Sequence, residues 1–138
     1  IEMVPKKILP RGIRNNNPLN IRIGNTWLGE RSNPIDPSFE EFAMITYGLR
    51  DAFIILRRYI RRFHRDTIQK IIETWAPRTE NATRKYIDCV CKRTGIPMDA
   101  PIAYEDRETM FALVKAMAFV ECGVELKDKD IQTAYNMA

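Results

Sequence analysis

Most of the chain after residue 48 carries apolar residues at three- and four-residue steps, the spacing that predicts amphipathic helices. The predicted helices cover Leu49–His64, Ile68–Trp75, Asn81–Thr94, Asp106–Cys122 and Asp128–Met137. Proline or glycine follows three of them, at Pro77, Gly95 and Gly123, where each ends a helix. The pattern predicts a mainly α fold. At 138 residues the chain is too short for two full cores, so we expect one domain over 1–138, with 1–10 as an N-terminal extension.

The first 37 residues differ from the rest, because five prolines and three glycines interrupt them. Short extended pieces are predicted at 20–23 and 39–44, so we expect at most a short β element. A polar lead-in of this length is uncommon in a compact domain unless it lines a site. The segment is therefore a candidate for function.

Composition limits the class of protein. Hydrophobic residues make up 45% and charged residues 29%, which is typical of a soluble globular domain and not of a disordered chain. No apolar run approaches the roughly 18 residues that span a bilayer, so no membrane span is expected. The opening residues lack the pattern of a secretory signal, and the route of export stays open.

The net charge of +4 is unevenly placed, since five arginines fall within nine residues. They are Arg57, Arg58, Arg61, Arg62 and Arg65. An anionic partner and a solvated helix face are both consistent with this run. We do not expect nucleic acid, because aromatic residues do not alternate with the arginines on their own face and no helix-turn-helix signature is present.

The cysteines, Cys89, Cys91 and Cys122, are three in number, and an odd count without a signal peptide is not typical of a disulfide framework. With His64 as the one histidine, a zinc site is not expected. We predict neither a metal nor another cofactor.

The most informative feature is an acid at the end of an apolar stripe. Glu121 occupies the next position on the face formed by Met110, Leu113, Val114 and Met117. A carboxyl on the core side of its helix is desolvated, and desolvation favours the protonated form, which can donate a proton to a glycosidic oxygen. The plainer interpretation is a frayed helix end at which Glu121 reaches water.

Residues 11–22 read RGIRNNNPLNIR, in which successive asparagines followed by proline favour turns. In a loop that lines a groove, such amides can also bond the hydroxyl and N-acetyl groups of a sugar chain. Composition alone favours the plain turn.

Several motifs occur together in a characteristic order. They are RGIRNNNPLNIR (11–22), WLGE (27–30), FEEF (39–42), YGLRDA (47–52), WAPRTENATRKYIDCV (75–90) and AMAFVECG (116–123). Over about residues 11–123 the chain resembles a phage and prophage family of lysozyme-like proteins, described as virion-associated muramidases, lytic transglycosylases or structural proteins. The resemblance implies a small, helical lysozyme-like fold and cleavage of the β-1,4 bond between the peptidoglycan sugars, by hydrolysis or by transglycosylation.

The resemblance also implies roles for particular residues. Glu121 matches the acid of the family, with Glu80 as the leading candidate for a second carboxylate, ahead of Asp36, Glu40 and Glu41. The residues that match its two polar motifs are expected to bind substrate: Asn15, Asn16, Asn17, Asn20, Asn81, Thr83 and Tyr86. If no second carboxylate lies opposite Glu121, the transglycosylase route is favoured.

The resemblance implies an acidic helix that comes early and is followed by the segment that lines the substrate. In this chain the acidic helix comes late and the asparagine-rich segment first. We therefore also predict a circularly permuted arrangement, with Gly123 near Arg11 in space. The expected partners are peptidoglycan glycan strands and phage virion proteins. The expected location is the phage virion or the bacterial cell envelope. The alternative is a catalytically silent virion or tail component that binds the wall.

Overall fold

The computed structural model describes residues 9–138, and within that range the protein is mainly helical, as predicted. Its helices are α1 (Arg11–Arg14), α2 (Ile45–Arg62), α3 (Ile68–Trp75), α4 (Glu80–Thr94), α5 (Arg107–Cys122) and α6 (Asp128–Met137). Most of the predicted N-terminal extension, residues 1–8, lies outside the described residues.

Side-chain caps and left-handed residues set the ends of three of these helices. Thr67 accepts a hydrogen bond from the Lys70 amide at the start of α3, and Thr79 and Asp106 cap α4 and α5 in the same way. Gly95 and Gly123 end α4 and α5 with φ of 73° and 70°. The predicted bounds of α3–α6 are therefore correct to within one residue.

The core forms where α2, α4, α5 and α6 pack together, with α3 against α4 and α1 against α5. Leu49, Phe53 and Leu56 of α2 are fully buried, as are Leu113 and Met117 of α5. Burying each such side chain stabilises the fold by about 1.5–3 kcal/mol. The stripe that leads toward Glu121 is thus part of the core.

The two extended pieces of the N-terminal segment come together. An antiparallel bridge joins Arg22 to Phe39, and a second joins Glu30 to Phe42. The amide of Glu40 donates to the carbonyl of Ile21 at 2.9 Å. These contacts pair the two extended pieces and close the N-terminal segment into an ordered loop.

Helix α2 begins at Ile45, four residues earlier than the apolar period predicts, and its first turn lies against the N-terminal loop. A Cβ on Gly48 would stand 2.1 Å from the carbonyl oxygen of Asn16. Glycine at this position therefore permits the close contact between loop and helix. It also interrupts the apolar pattern, which is why the sequence predicts a later start.

No helix in residues 9–138 is both long enough and apolar enough to cross a membrane.

The close contact at Gly48 gives a prediction that runs against helix propensity. Glycine to alanine in a helix normally stabilises by about 0.5–1 kcal/mol. We expect Gly48→Ala instead to destabilise by about 2 kcal/mol or more, because the loop must move to admit the methyl group. Urea unfolding measures the change, with Thr46→Ala in the same turn as the control. A more stable Gly48→Ala variant would show that the loop does not pack here.

Candidate active site

Glu121 is the next-to-last residue of α5, and its side chain is only 4% exposed. The amide nitrogen of Asn20 donates to Oε1 of Glu121 at 2.9 Å, across 101 residues of sequence. The guanidinium of Arg78 lies 3.5 Å from the same oxygen. The acid is therefore buried and partnered by the N-terminal loop and by the turn between α3 and α4.

Tyr86 of α4 lies beside this carboxylate. Burial, and then the charge of Glu121, raises the pKa of Tyr86 well above its usual value, so the hydroxyl keeps its proton. The hydroxyl oxygen is buried, and the carboxyl of Glu121 is the polar group that lies within reach of it.

Glu121 lines a cavity of about 170 Å³, here called the central cavity. Its other lining residues are Asn20, Arg22, Phe39, Trp75, Ala76, Pro77 and Arg78. A second cavity of about 360 Å³, the aromatic arm, shares Asn20, Arg22 and Trp75 with it. A third of about 440 Å³, the α4 arm, shares Pro77 and Arg78. Because the central cavity shares a different set of residues with each of the other two, we infer that the three form one groove with Glu121 in its middle section.

The local backbone aims Asn20 at the acid. Asn20 has a φ of 54°, in the left-handed region that asparagine tolerates better than most residues. The indole nitrogen of Trp75 donates to the carbonyl of Leu19 at 3.0 Å and ties the loop to the end of α3. A Cβ on Gly12 would stand 2.9 Å from the carbonyl oxygen of Asn17, so the loop closes tightly over α1.

The other three asparagines of the motif hold the loop together. Asn17 is fully buried and bonds both the amide and the carbonyl of Ile21. The amide of Asn15 donates to the carboxylate of Asp36, and that of Asn16 to the carbonyl of Phe42. Of the four asparagines of the first motif that the resemblance assigns to substrate, the structure brings Asn20 to the acid and uses Asn15, Asn16 and Asn17 inside the loop.

The residues of the second motif lie in different places, and only some of them line the groove. Glu80 is exposed at the first position of α4 and lines the α4 arm with Thr83. Asn81 is exposed and lines none of the three cavities. Of this group, Tyr86 is the member beside Glu121. Thr79, and not Glu80, caps the helix.

Two of the other candidates for a second carboxylate are fully bonded within the loop. Asp36 accepts hydrogen bonds from both Nε and Nη2 of Arg11, at 2.6 and 2.5 Å. The Arg11 guanidinium holds the pKa of Asp36 well below its usual range. Glu41 accepts the backbone amides of Ile35 and Asp36 and pairs with Arg31. Both carboxylates stabilise the loop, and neither lines the central cavity.

One comparison with known proteins is informative. The chain is 40% identical over 129 residues to Protein P5 of Pseudoalteromonas phage PM2, which is 89% of this chain and 79% of that protein. The chain belongs to the Protein P5 family. No family model matches it.

Sequence reasoning missed Arg78, Trp75 and Arg22 in this member of the Protein P5 family. The first two stand at the start of the Trp75–Val90 motif, where a proline follows the end of α3. The Trp75–Val90 motif is the sequence signal by which these two residues could have been found. Nothing local marked Arg22, because its position depends on the bridge to Phe39.

Sequence reasoning also missed a cluster of buried carboxyls behind the loop. Burial, and then the neighbouring Glu30, raises the pKa of Glu40 to about 8. Burial raises the pKa of Asp51 to about 6, although Arg50 at 2.7 Å opposes the shift. Oε2 of Glu40 and Oδ2 of Asp51 are buried without partners among residues 9–138. Glu40 is thus protonated at neutral pH and supports the loop in that form.

The cluster gives a pH-dependent prediction. A carboxyl with a raised pKa stabilises the fold below its unfolded pKa, near 4.5, and that contribution is lost as the pH rises through about 8. We expect Glu40→Gln to match the wild type at pH 4 and to melt higher at pH 9, by about 3 °C or more. Thermal unfolding across this range measures it.

The neighbouring Glu41 is the matched control, since its carboxylate accepts two amides and carries a lowered pKa. Glu41→Gln should therefore destabilise at pH 7 and above. The same direction of change for both variants at pH 9 would contradict the assigned protonation of Glu40.

Proposed function

We propose that this protein cleaves the glycan strands of bacterial peptidoglycan at the β-1,4 bond between the N-acetylmuramyl and N-acetylglucosaminyl residues. The observation that carries the proposal is a buried carboxyl, Glu121, in a cavity that shares lining residues with two larger cavities, which together form the inferred groove. A polymer needs such a shape, because sugars extend beyond the cleaved bond in both directions. The lysozyme-like resemblance of the motifs supports the same reaction.

Glu121 is the acid in this mechanism. Asn20 and Arg78 both contact Oε1, and in this mechanism Oε2 carries the transferable proton. The carboxyl donates that proton to the glycosidic oxygen as the bond between that oxygen and C1 of the muramyl sugar breaks. Asn20 acts as a positioning residue, since its amide fixes the orientation of the carboxyl.

A single carboxyl is enough for the transglycosylase route. After the first step Glu121 is a carboxylate, and it accepts the proton of the muramyl 6-hydroxyl as O6 bonds C1. The product is a 1,6-anhydromuramyl sugar, and the acid is regenerated. This route fits a central cavity in which Glu121 is the carboxylate, while Glu80 lines the α4 arm and Asp36 and Glu41 are bonded in the loop.

The relative of this chain is a phage protein. A phage must breach the wall of its host, and cleavage of peptidoglycan would serve that step. We place the protein in the virion or at the bacterial envelope.

A second candidate is a catalytically silent component that binds the wall. The contact between Arg78 and Glu121 favours it, because an ion pair between these two side chains gives the acid a structural role that needs no catalysis. Binding of a glycan strand then needs the groove but not the acid.

Substitution of the acid separates the two candidates. We expect Glu121→Gln to clear purified sacculi at least about 100-fold more slowly than the wild type, because the amide has no proton to transfer. Turbidity measures the rate. Glu108→Gln, on the first turn of the same helix and exposed, is the control and should retain full activity. Equal clearing by the wild type and Glu121→Gln would remove the acid from the mechanism, and binding without clearing by the wild type would favour the silent component.

The products test the route. Mass analysis of the released muropeptides should find 1,6-anhydromuramyl ends, lighter by one water than the products of hydrolysis. Reducing muramyl ends would contradict the single-carboxylate route and require a second acid to activate water.

A further inference from the structure

The aromatic arm is chemically unlike the rest of the groove. Its walls carry four aromatic side chains and two arginines: Trp27, Tyr59, Phe63, Trp75, Arg22 and Arg58. Aromatic faces are the surfaces on which the apolar faces of sugar rings pack. Phe63 is 56% exposed, so its ring is accessible to a ligand in the arm.

The arm is also positively charged. Neither Arg22 nor Arg58 forms an ion pair with a carboxylate of residues 9–138, and none of the residues that line the arm is acidic. The guanidinium of Arg58 lies 5.8 Å from the centroid of the Trp27 ring. The α4 arm differs, since its three acidic residues, Glu73, Glu80 and Asp88, outnumber its two arginines, Arg78 and Arg84. An anionic group on the substrate is therefore favoured at one end of the groove.

A donor without a partner marks the same place. The indole nitrogen of Trp27 is buried and has no hydrogen-bond partner in the described chain, whereas that of Trp75 is bonded to Leu19. A buried N–H that lacks a partner destabilises the fold. A ligand that supplies an acceptor recovers this cost.

We propose that the aromatic arm binds the sugar that carries the stem peptide, with Arg58 and Arg22 pairing with the peptide carboxylates. The arm suits this unit because stacking surfaces and uncompensated cations lie together in one cavity. The glucosaminyl residue has no carboxylate and gains nothing from the arginines. This proposal rests on the proposed function and makes the protein selective for peptide-bearing strands over naked glycan.

The chain contains an internal probe for the test. Both of its tryptophans, Trp27 and Trp75, line the aromatic arm, so their fluorescence reports binding there. The titration uses the Glu121→Gln full chain with two ligands: a muramyl disaccharide bearing a tetrapeptide, and the same disaccharide whose lactyl carboxyl carries an uncharged methylamide in place of the peptide. We expect the peptide-bearing ligand to bind about 10-fold more tightly, because charge-assisted hydrogen bonds are the strong ones. Equal affinities would overturn the proposal.

Two neighbouring arginines of α2 supply a matched pair of variants. Arg58→Gln should lower the affinity for the peptide-bearing ligand by about threefold to tenfold and leave that for the naked disaccharide unchanged. Arg57→Gln removes the same charge from the same helix, but Arg57 lies over the ring of Tyr104, away from the arm, and should have no effect. Equal losses in both variants would reduce the effect to general charge and overturn the proposal.

These measurements need no cleavage. If wild-type protein fails to clear sacculi while selective binding persists, the proposed function fails and the assignment of the arm stands. If sacculi are cleared but the ligand without peptide binds as tightly as the peptide-bearing one, the proposed function stands and the assignment of the arm fails.

Discussion

The hydrogen bond from Asn20 to Glu121 joins the N-terminal loop to the C-terminal end of α5, and the groove exists because these two parts meet. A bond to a charged group contributes about 1.5–3 kcal/mol, whereas a buried carboxylate without partners would destabilise the fold by more. The contact with Arg78 adds the turn between α3 and α4 to the same point. Contacts to Oε1 of Glu121 thus bring the N-terminal loop, the turn between α3 and α4, and the end of α5 together around the cavity.

The loop that presents Asn20 is ordered mainly by polar bonds. Asp36 gathers Arg11, Asn15 and two backbone amides, and its pKa is held well below the usual range by the guanidinium. Asn17 is wholly buried and bonds the backbone of both extended pieces. Glu40, protonated behind the loop, avoids placing a second negative charge next to Glu30. These groups lie outside the lining of the central cavity, so they support the site without taking part in its chemistry.

Sequence periodicity and capping residues predicted most of the helical architecture, because both act within a few residues. The stripe of α5 correctly placed Glu121 on the buried side, and the structure places Asn20 of the first motif beside it. Helix α1 was missed, since consecutive asparagines and proline favour turns. The separate roles of Asn15 and Asn20, the position of Arg78, and the pairing of Glu40 with Glu30 depend on contacts far apart in sequence, which no local pattern encodes.

The central claim is that Glu121 meets the bond to be broken at the middle of the groove. The most direct measurement is a crystal structure of the Glu121→Gln variant with an uncleaved peptidoglycan fragment bound. The account predicts a glycosidic oxygen within about 3.2 Å of the side chain at position 121, with the sugars continuing into both arms. A fragment seated elsewhere on the protein, or one whose glycosidic oxygens all lie far from that side chain, would contradict it.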